Sequence, residues 1–545
     1  MTEHRAAGVH PRRGRVAVPA LASGVGLALS LPPWGAWALA FPAAGLLFWR
    51  LRGLRPRTRL WAGWLAGLGC YGPGLMWARA FTVPGALVLM AVEAAFMAAA
   101  CLAVPAEPAT ARALAFPGAM TLAEWARMSW PFGGLPIGGV FLGQAGGPVL
   151  GVARLGGPLG LTAALYVGGV GLGSLADAAA RAWRDGRRAR TFARLEPGGP
   201  PTGGDQPPHG RADRTGIVAG AVAGHGGTAL AGAIALAIVL SVSFAGDHAP
   251  DGGAAVGTVM AVAVQGGGAR GFSKSQIDPA VVLAAQFAAT RSVEEADHGT
   301  TPQLVLWPED VVSLDTPLGG SPVESELAAL ARRLHTTLVV GVTETVSGTT
   351  FRNEVVAFGP DGTVVSRYEK VHRVPFGEYV PFRGFFSHLA NLSAVPLDAV
   401  PGTGTGLLPT PAAPLGVMVS YEVFYAGRGR SAVRHGAQLL IVPTNTSSYA
   451  SSQVPTQEIA ASEVQAVQQG RDLLQAAPTG YSAAVTHRGT LLGRSVLGAR
   501  QVVAVTLARR AGSTVYVRYG DLPVVLLAAA ATAAGWLLAA RRRHS

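Results

Sequence analysis

The chain has 545 residues, of which 49% are hydrophobic and only 14% charged, and its formal net charge is +13. Soluble globular proteins carry roughly 25% charged residues, so this composition argues against an ordinary soluble chain and favours several membrane spans. Strongly basic chains are also typical of nucleic-acid binding, but here the arginines cluster beside apolar runs, which is the pattern of membrane topology. No nucleic-acid partner is therefore predicted.

Eight apolar runs predict membrane spans, because each approaches the roughly 20 apolar residues that a helix needs to cross the hydrocarbon core. The run that ends near Glu124 and Arg127 is the weakest, since both charges lie within its last turns. The predicted spans are residues 16–31, 34–49, 60–78, 84–104, 113–128, 160–176, 217–244 and 522–540.

The distribution of arginines predicts how the spans are oriented. Positive residues favour the cytoplasmic side, and with the N-terminus inside, every strongly basic segment falls inside as well. These segments are residues 50–59, 177–214 and 541–543. The same count places the region between the seventh and eighth spans outside. We therefore expect a multi-pass protein of the plasma membrane with both termini in the cytoplasm.

Composition divides the chain into three parts. Residues 1–248 form the predicted membrane domain, which carries seven spans and an arginine-rich cytoplasmic linker at 177–214, its middle predicted to be disordered. Residues 249–511 have ordinary polarity and form the predicted extracytoplasmic domain. Residues 512–545 hold the last span and a basic tail.

Short β-rich runs alternate with helix-like runs in the extracytoplasmic domain, which predicts an α/β fold with a central sheet. Strands are predicted at residues 256–263, 304–307, 337–342, 355–358, 416–419, 439–442, 483–485 and 502–506. Helices are predicted at residues 279–289, 324–335, 426–435 and 457–475.

The stretch RYEKVHRVPFGEYVPF, residues 367–382, places Lys370 and Glu378 eight residues apart around an apolar turn. A soluble loop has little reason to surround two charges with apolar side chains, whereas a loop that meets acyl chains does. Taken alone, the stretch is more typical of a strand followed by an amphipathic turn. Two further runs end in polar residues: LVLWPED carries Glu309, and LGVMVSYEVFY carries Ser420 and Glu422.

Glu309, then Lys370, then a nucleophile after a strand resembles the nitrilase (carbon–nitrogen hydrolase) superfamily, and the 367–382 stretch is similar to its apolipoprotein N-acyltransferase branch. The segment WPFGGLP at residues 130–136 resembles the family's connection between its fifth and sixth spans. The resemblance implies a multi-span helical membrane domain joined to an α-β-β-α sandwich.

The resemblance also implies roles for particular residues. Glu309 would be the general base and Lys370 the group that stabilises the oxyanion, while residue 420, a cysteine in the family, is a serine here. A serine hydroxyl is a weaker nucleophile than a thiol and needs a strong base. The remaining matched positions are assigned to substrate contact or a lid (Phe376, Glu378, Tyr421 and Glu422) and to support (Asn353, Asn445 and Arg471).

The implied reaction takes an acyl group from a phospholipid and passes it to the N-terminal amine of a diacylglyceryl-cysteine lipoprotein, with the membrane as its setting. Two other functions stay open: a catalytically degenerate relative that binds lipid or lipoprotein, and a membrane-tethered amidase. A Ser-His arrangement of Ser420 with His435 or His487 is a further alternative that no spacing supports. Neither cysteine, Cys70 or Cys101, is predicted to be catalytic, and the 12 histidines show no metal-ligand spacing, so no metal or cofactor is expected.

Overall fold

The computed structural model describes residues 14–195, 214–268, 277–295, 301–388, 392–393, 395–449 and 452–544. The middle of the predicted linker, residues 196–213, lies outside these ranges. A helix occupies each of the eight predicted spans. These helices are α1 Gly14–Ser30, α2 Ala40–Arg50, α3 Pro56–Gly74, α4 Val83–Ala103, α5 Ala109–Arg127, α6 Ala153–Leu195, α7 Arg214–His248 and α14 Leu522–His544.

Four helical segments in the described part are long and apolar enough to cross a membrane by themselves: Val83–Ala103, Leu150–Arg187, Gly226–His248 and Leu522–Arg542. The other helices are shorter or more polar: α2, α3 and α5 pack against these, and α1 packs against α2 and α3. Small residues allow that packing. A Cβ added to Gly67 of α3 would lie 2.6 Å from the Cα of Ala94 in α4, and one added to Gly118 of α5 would lie 2.4 Å from a carbonyl of α14.

Helix α6 differs from its prediction at both ends. It kinks at Gly157, whose φ of +59° only glycine adopts readily, and it continues past residue 177, where the linker was expected to begin. Asp177 is buried, and its carboxylate is paired with Arg52 at 3.0 Å and with Arg181 one turn later. These two ion pairs fix the side chain at the expected boundary, and the alanine- and arginine-rich residues after it favour continued helix.

Two sheets make up the α/β domain. The first has eight strands in the order β14-β1-β2-β4-β5-β6, with β3 beside β4 and β7 beside β5, and the second has six in the order β13-β12-β11-β10-β9-β8. The strands are β1 Ala255–Gln265, β2 Leu304–Leu306, β3 Val312–Leu314, β4 Thr337–Ser347, β5 Thr350–Phe358, β6 Val364–Glu369, β7 Asp398–Ala399, β8 Leu407–Leu408, β9 Leu415–Val417, β10 Leu439–Pro443, β11 Leu473–Ala476, β12 Ala483–Val485, β13 Leu491–Arg494 and β14 Gln501–Arg510.

Helices cover the outer face of each sheet: α8 Pro279–Glu295 and α9 Pro322–Leu334 pack on the first, and α11 Ala426–Arg434 and α12 Gln453–Gln469 pack on the second. The short α10 Arg383–Phe386 follows the 367–382 stretch, and α13 Val515–Tyr519 packs against α6, α11 and α12. Successive side chains of β1 point to opposite faces of the first sheet. Ala261 and Ala263 face the second sheet, whereas Val262 and Val264 face α8 and α9. The result is the α-β-β-α sandwich that the resemblance implied.

Each of the eight predicted strands is present, and the four predicted helices correspond to α8, α9, α11 and α12. The prediction for α12 was wrong at its end: the helix stops at Gln469 because Gly470 adopts a left-handed conformation (φ +64°), and β11 follows at once. The outer face of the second sheet and α12 share one hydrophobic core with the membrane helices. The α/β domain is therefore packed directly onto the membrane domain.

Candidate active site

The polar residues predicted for the site follow strands whose carboxyl ends lie at one edge of the two sheets. In the first sheet β2 runs parallel to β4, and β6 returns to the same direction after the antiparallel β5. Glu309 follows β2, and Lys370 follows β6. Gly341 of β4 makes room for Glu309, because a Cβ there would lie 2.3 Å from the Pro308 carbonyl oxygen.

Lys370 is the centre of a buried cluster of charges. Its ammonium, on a side chain that is only 2% exposed, donates to Oε1 of Glu309 and to Oε1 of Glu378, both at 2.8 Å. The amide of Asn353 on β5 donates to the same two oxygens at 2.9 and 2.8 Å. A lysine has three N–H donors, and within the described part of the chain only two of those of Lys370 have partners.

The two ionisable partners shift each other's proton affinity. Burial raises the pKa of Glu309, the positive charge of Lys370 opposes that rise, and the nearby negative charge of Glu378 adds to it, so the pKa lies above its usual range. Burial alone would lower the pKa of Lys370, but the two carboxylates outweigh it and hold the pKa above its ordinary value. The lysine therefore stays an ammonium, and Glu309 has a proton affinity above that of an exposed glutamate.

Ser420 lies at a sharp turn after β9, where a 3-10 helix, Ser420–Phe424, begins. Its φ of +50° is uncommon for a residue with a side chain, and its surroundings hold it there. Glu422, fully buried, accepts the N–H of Val419 at 2.9 Å and also the N–H groups of Val371 and His372 at 2.8 and 2.9 Å.

Glu422 thus joins the Ser420 turn to the residues immediately after Lys370. The Tyr368 hydroxyl reinforces that link by donating to the same carboxylate at 2.9 Å. These contacts bring Ser420 to the edge that carries Glu309 and Lys370, and they make Glu422 a support of the turn. The Ser420 hydroxyl, on a residue 9% exposed, makes no hydrogen bond to Glu309 or to any other residue that the structure describes.

The membrane domain also holds the Ser420 turn. Tyr421 and Tyr425 both donate their hydroxyl hydrogens to the carbonyl of Gly134, at 3.0 and 2.9 Å. Gly134 belongs to the loop between α5 and α6 that the sequence singled out as WPFGGLP. That loop is fixed by a second buried charge cluster, in which Arg127 of α5 is paired with Glu93 at 3.1 Å and with Glu124 at 2.7 Å.

Arg127 uses its remaining donors on the same loop. Its guanidinium donates to the carbonyls of Leu135, Pro136 and Ile137 at 2.5, 3.3 and 3.3 Å. The side chain is completely buried. Residues of the membrane domain therefore reach Tyr421, the neighbour of Ser420, through one loop. The sequence carried no signal for this contact, because Gly134 and Tyr421 are 287 positions apart.

Aromatic side chains line the junction near the 367–382 stretch. Phe376 packs on Phe132 of the membrane-domain loop with ring centroids 6.2 Å apart, and Phe382 packs on the same ring at 6.0 Å. Phe382 is 73% exposed and Phe376 is also exposed. On the other side of the edge, Tyr449 contacts Trp77 at 5.4 Å. The predicted lid residue Phe376 thus lies where the two domains meet.

One residue near the site was missed by the sequence prediction. Glu458 of α12 is 2% exposed, and its Oε1 accepts the hydroxyl of Thr444 at 2.7 Å. Thr444 follows β10, the parallel neighbour of β9, so it lies at the same edge as Ser420. The other oxygen, Oε2, is buried without a hydrogen-bond partner in the described residues. Burial raises the pKa of Glu458 to about 8, so its carboxyl is largely protonated at neutral pH.

The histidines proposed as alternatives lie elsewhere. His487 is paired with Asp472 at 3.1 Å, and Asp472 precedes β11, at the edge opposite Ser420. His435 ends α11 just before β10 and is exposed. The geometry therefore gives no support to a Ser-His arrangement. The described residues also contain no group of three or more His, Cys, Asp or Glu side chains that could hold a metal ion.

Two family models match the chain. The model for the N-terminal domain of apolipoprotein N-acyltransferases matches residues 23–171, and the carbon–nitrogen hydrolase model matches residues 290–515. Among solved structures, the chain is similar to a carbon–nitrogen hydrolase from Helicobacter pylori (16% identity, 49% of this chain and 95% of that one, TM-score 0.35) and to an amidase from Nesterenkonia (20% identity, 50% and 97%, TM-score 0.35). These scores are too low to carry an argument.

Curated relatives extend the match over both domains. The apolipoprotein N-acyltransferase of Mycolicibacterium smegmatis is 29% identical over 497 residues, covering 87% of this chain and 77% of the relative. That of Shewanella oneidensis is 23% identical, with 94% of each chain covered, and that of Geobacter metallireducens is 28% identical over 53% of this chain and 55% of its own. The two family models together span more than half of the chain, one on each side of the junction that holds the site. The chain belongs to the apolipoprotein N-acyltransferase family.

Proposed function

We propose that this chain moves a fatty acyl group from a phospholipid to the N-terminal amine of a diacylglyceryl-cysteine lipoprotein, through an acyl ester on Ser420. The observation that carries the proposal is the buried Lys370 ammonium, held at 2.8 Å by both Glu309 and Glu378 with a third donor available. It lies at the sheet edge that carries the Ser420 turn. The relatives named as apolipoprotein N-acyltransferases support this assignment.

In the first half-reaction, the Ser420 oxygen attacks the carbonyl carbon of the phospholipid ester, and Glu309 takes the serine proton. The carbonyl oxygen becomes an oxyanion, which the free N–H of Lys370 stabilises by a charge-assisted hydrogen bond. When the carbonyl re-forms, the bond to the lysophospholipid oxygen breaks and Glu309 returns the proton to it. Burial suits Glu309 to this role, because a raised pKa makes it a better proton acceptor.

In the second half-reaction, the neutral α-amine of the acceptor attacks the ester carbon on Ser420. Glu309 takes a proton from the nitrogen, Lys370 again stabilises the oxyanion, and the Ser420 oxygen leaves with that proton. An amide bond forms and the serine is restored. Glu378 accepts a hydrogen bond from Lys370 and holds the 374–378 turn by accepting the N–H of Val374 at 2.8 Å.

The aromatic junction supports a lipid route to the site. Phe376 and Phe382 are exposed yet contact Phe132 of the membrane domain, so acyl chains could pass between apolar surfaces. The α/β domain lies at one end of the helices and the arginine-rich segments lie at the other. This separation supports an extracytoplasmic active site with both chain termini in the cytoplasm.

A binding protein without turnover is the second candidate, and one observation favours it. The Ser420 hydroxyl has no hydrogen bond to a base in the described residues, whereas a serine nucleophile needs one. Hydrogen bonds of this kind often tighten only when substrate is bound, so the deciding measurement is acylation of residue 420 itself. A tethered amidase is less well supported, since a small soluble amide has no need of the exposed aromatic loop.

Replacement of Ser420 distinguishes the candidates. Purified protein in detergent would be given a labelled phospholipid and a diacylglyceryl-cysteine peptide, and acylation of both residue 420 and the peptide would be followed by mass spectrometry. We expect slow acylation by the native chain, none by Ser420→Ala and a clear gain in Ser420→Cys. The introduced thiol is the only accessible one, because Cys70 and Cys101 are completely buried. Equal background rates for native and alanine chains, with a gain for cysteine, would identify a binding protein. A silent cysteine variant would refute the acyltransferase proposal.

A further inference from the structure

A large cavity lies at the end of the membrane helices that faces away from the α/β domain. Its volume is about 1170 Å³. The ends of α2, α4, α6 and α14 and the beginnings of α3 and α5 surround it. It is separate from the candidate active site and takes no part in the proposed acyl transfer.

Arginine side chains dominate the wall of this cavity. Five of them line it, against two carboxylates, those of Glu107 and Asp185. The arginines are Arg52, Arg59, Arg181, Arg184 and Arg542. Two further charged residues contact the residues that line the cavity. Asp177 pairs with Arg52 and Arg181, and Arg112 lies 3.8 Å from Glu107. The net charge of these groups is positive, which favours an anionic ligand.

The positive-inside rule accounts for exposed arginines near helix ends, such as Arg55 and Arg57 at the start of α3. The positive-inside rule does not explain why Arg59 is buried. Arg59 is only 4% exposed, and its guanidinium donates to the Leu102 carbonyl at 3.3 Å. Taking an arginine out of water is costly unless something compensates. A built recess with fixed guanidinium groups is the geometry by which arginines bind phosphate.

The surroundings of the cavity indicate a lipid. Exposed tryptophans at this end of the bundle, which mark the headgroup level of a bilayer, are Trp49, Trp61, Trp183 and Trp536. Trp536 and Ala539 of α14 form part of the cavity wall. The adjoining Leu537 and Leu538 are exposed on the same helix, so the cavity is continuous with an apolar surface along which acyl chains can lie.

We infer that this cavity binds the phosphate of an anionic phospholipid headgroup, with the acyl chains of that lipid against α14. Arg184 and Arg542 are its outer phosphate contacts, since both line the cavity and are exposed. Arg52, Arg59 and Arg181 are held by protein groups and form the fixed wall. Basic pockets at the ends of membrane helices are suited to such headgroups.

Thermal unfolding of the full chain in a neutral detergent tests the site. Short-chain phosphatidylglycerol would be titrated in, with phosphatidylcholine of the same chain length and inorganic phosphate as separate arms. We expect phosphatidylglycerol to raise the unfolding temperature and the other two to have little effect. The variant Arg184→Gln/Arg542→Gln should need at least about fivefold more phosphatidylglycerol for half the shift. The matched control Arg55→Gln/Arg57→Gln removes the same charge outside the cavity and should behave as the native chain.

Each other outcome overturns a part of the inference. An equal response to inorganic phosphate would make the cavity a free-anion site. Equal responses to the two lipids would mean that apolar contact and not the headgroup is recognised. An equal loss in both variants would mean a diffuse positive field without a built site. Activity is not the readout, so the result does not depend on whether Ser420 supports turnover.

Discussion

Two buried charge clusters, one in each domain, each hold one cation between two glutamates, but they differ in how many of the cation's N–H donors have partners. In the membrane domain Arg127 lies between Glu93 and Glu124, and in the α/β domain Lys370 lies between Glu309 and Glu378. Every nitrogen of the Arg127 guanidinium has an acceptor, including three loop carbonyls. Lys370 keeps one donor without a partner in the described residues.

This difference is the one expected between a cluster that supports structure and the cluster that we propose takes part in the chemistry. A cation whose donors are all used can only hold its neighbours in place, as Arg127 holds the 134–137 loop. A cation with a spare donor can bind a group that arrives later, such as a developing oxyanion. The first cluster supports the second, because the loop it fixes accepts the hydroxyls of Tyr421 and Tyr425 beside Ser420.

The largest expected effect comes from Glu309→Gln. The amide keeps an oxygen that can accept from Lys370 and Asn353, so the fold should be retained, but it cannot accept a proton at neutral pH. We expect acyl transfer to fall by about 10³-fold or more, measured on the Ser420→Cys background if the native rate is too slow. The matched control is Glu326→Gln, an exposed glutamate on α9. A rate within twofold of the parent would remove Glu309 from the chemistry.

Arg127→Met should act on stability first. It leaves two buried carboxylates without a cation, and loss of one partner of a buried pair costs about 3–5 kcal/mol. We expect a strongly lowered unfolding temperature in detergent. The triple variant Glu93→Gln/Arg127→Met/Glu124→Gln removes all three charges and should regain part of that stability while activity stays low, because the loop carbonyls still lack their donor. If the triple variant regained full activity, the support by Arg127 would be unnecessary.

The sequence predicted the α/β cluster better than the membrane cluster for a physical reason. Glu309 and Lys370 each follow a short apolar strand, so local pattern and a specific motif indicated both. Glu124 and Arg127 weakened the prediction of the 113–128 span, because a hydropathy scale treats each charged residue as unpaired. In the structure Arg127 pairs with both Glu124 and Glu93, and one face of α5 is buried. Only tertiary contact supplies that information.

The same limit explains two other errors of prediction. The expected extension of α12 to residue 475 followed its run of helix-forming residues and overlooked the left-handed Gly470. The role of Tyr421 as an anchor was not predictable, because its acceptor, Gly134, belongs to another domain. By contrast, the alternation in β1 and the apolar runs of β2 and β9 are local, and the sandwich could be predicted from them together with the resemblance.

Removal of the two tyrosine hydroxyls tests the connection between the clusters. Tyr421→Phe or Tyr425→Phe alone leaves Gly134 one donor, so each should cost about 0.5–1.5 kcal/mol of stability. Together they leave a buried carbonyl without either donor, and the combined loss should exceed the sum. We expect kcat to fall several-fold in the double variant with KM little changed, because the turn is displaced and the lipid surface is intact. Tyr519→Phe, at an exposed tyrosine, is the control. Strict additivity with unchanged kcat would mean that the anchor does not position Ser420.

The smallest expected effect is a pH dependence that Glu458 introduces. Burial raises its pKa from 4.5 to about 8 in the folded chain, with the Thr444 hydrogen bond opposing the rise and the charge of Glu309 adding to it. Between these two values the folded chain holds a proton that the unfolded chain has released. The stabilisation by this group is therefore complete below pH 4.5 and is lost as the pH rises through 8.

Glu458→Gln cannot ionise, so its unfolding temperature should fall less than that of the native chain as the pH is raised from about 5 to about 8. We expect a relative gain of roughly 2–4 °C at the upper end. Parallel pH profiles for the two proteins would show that Glu458 is already ionised in the fold.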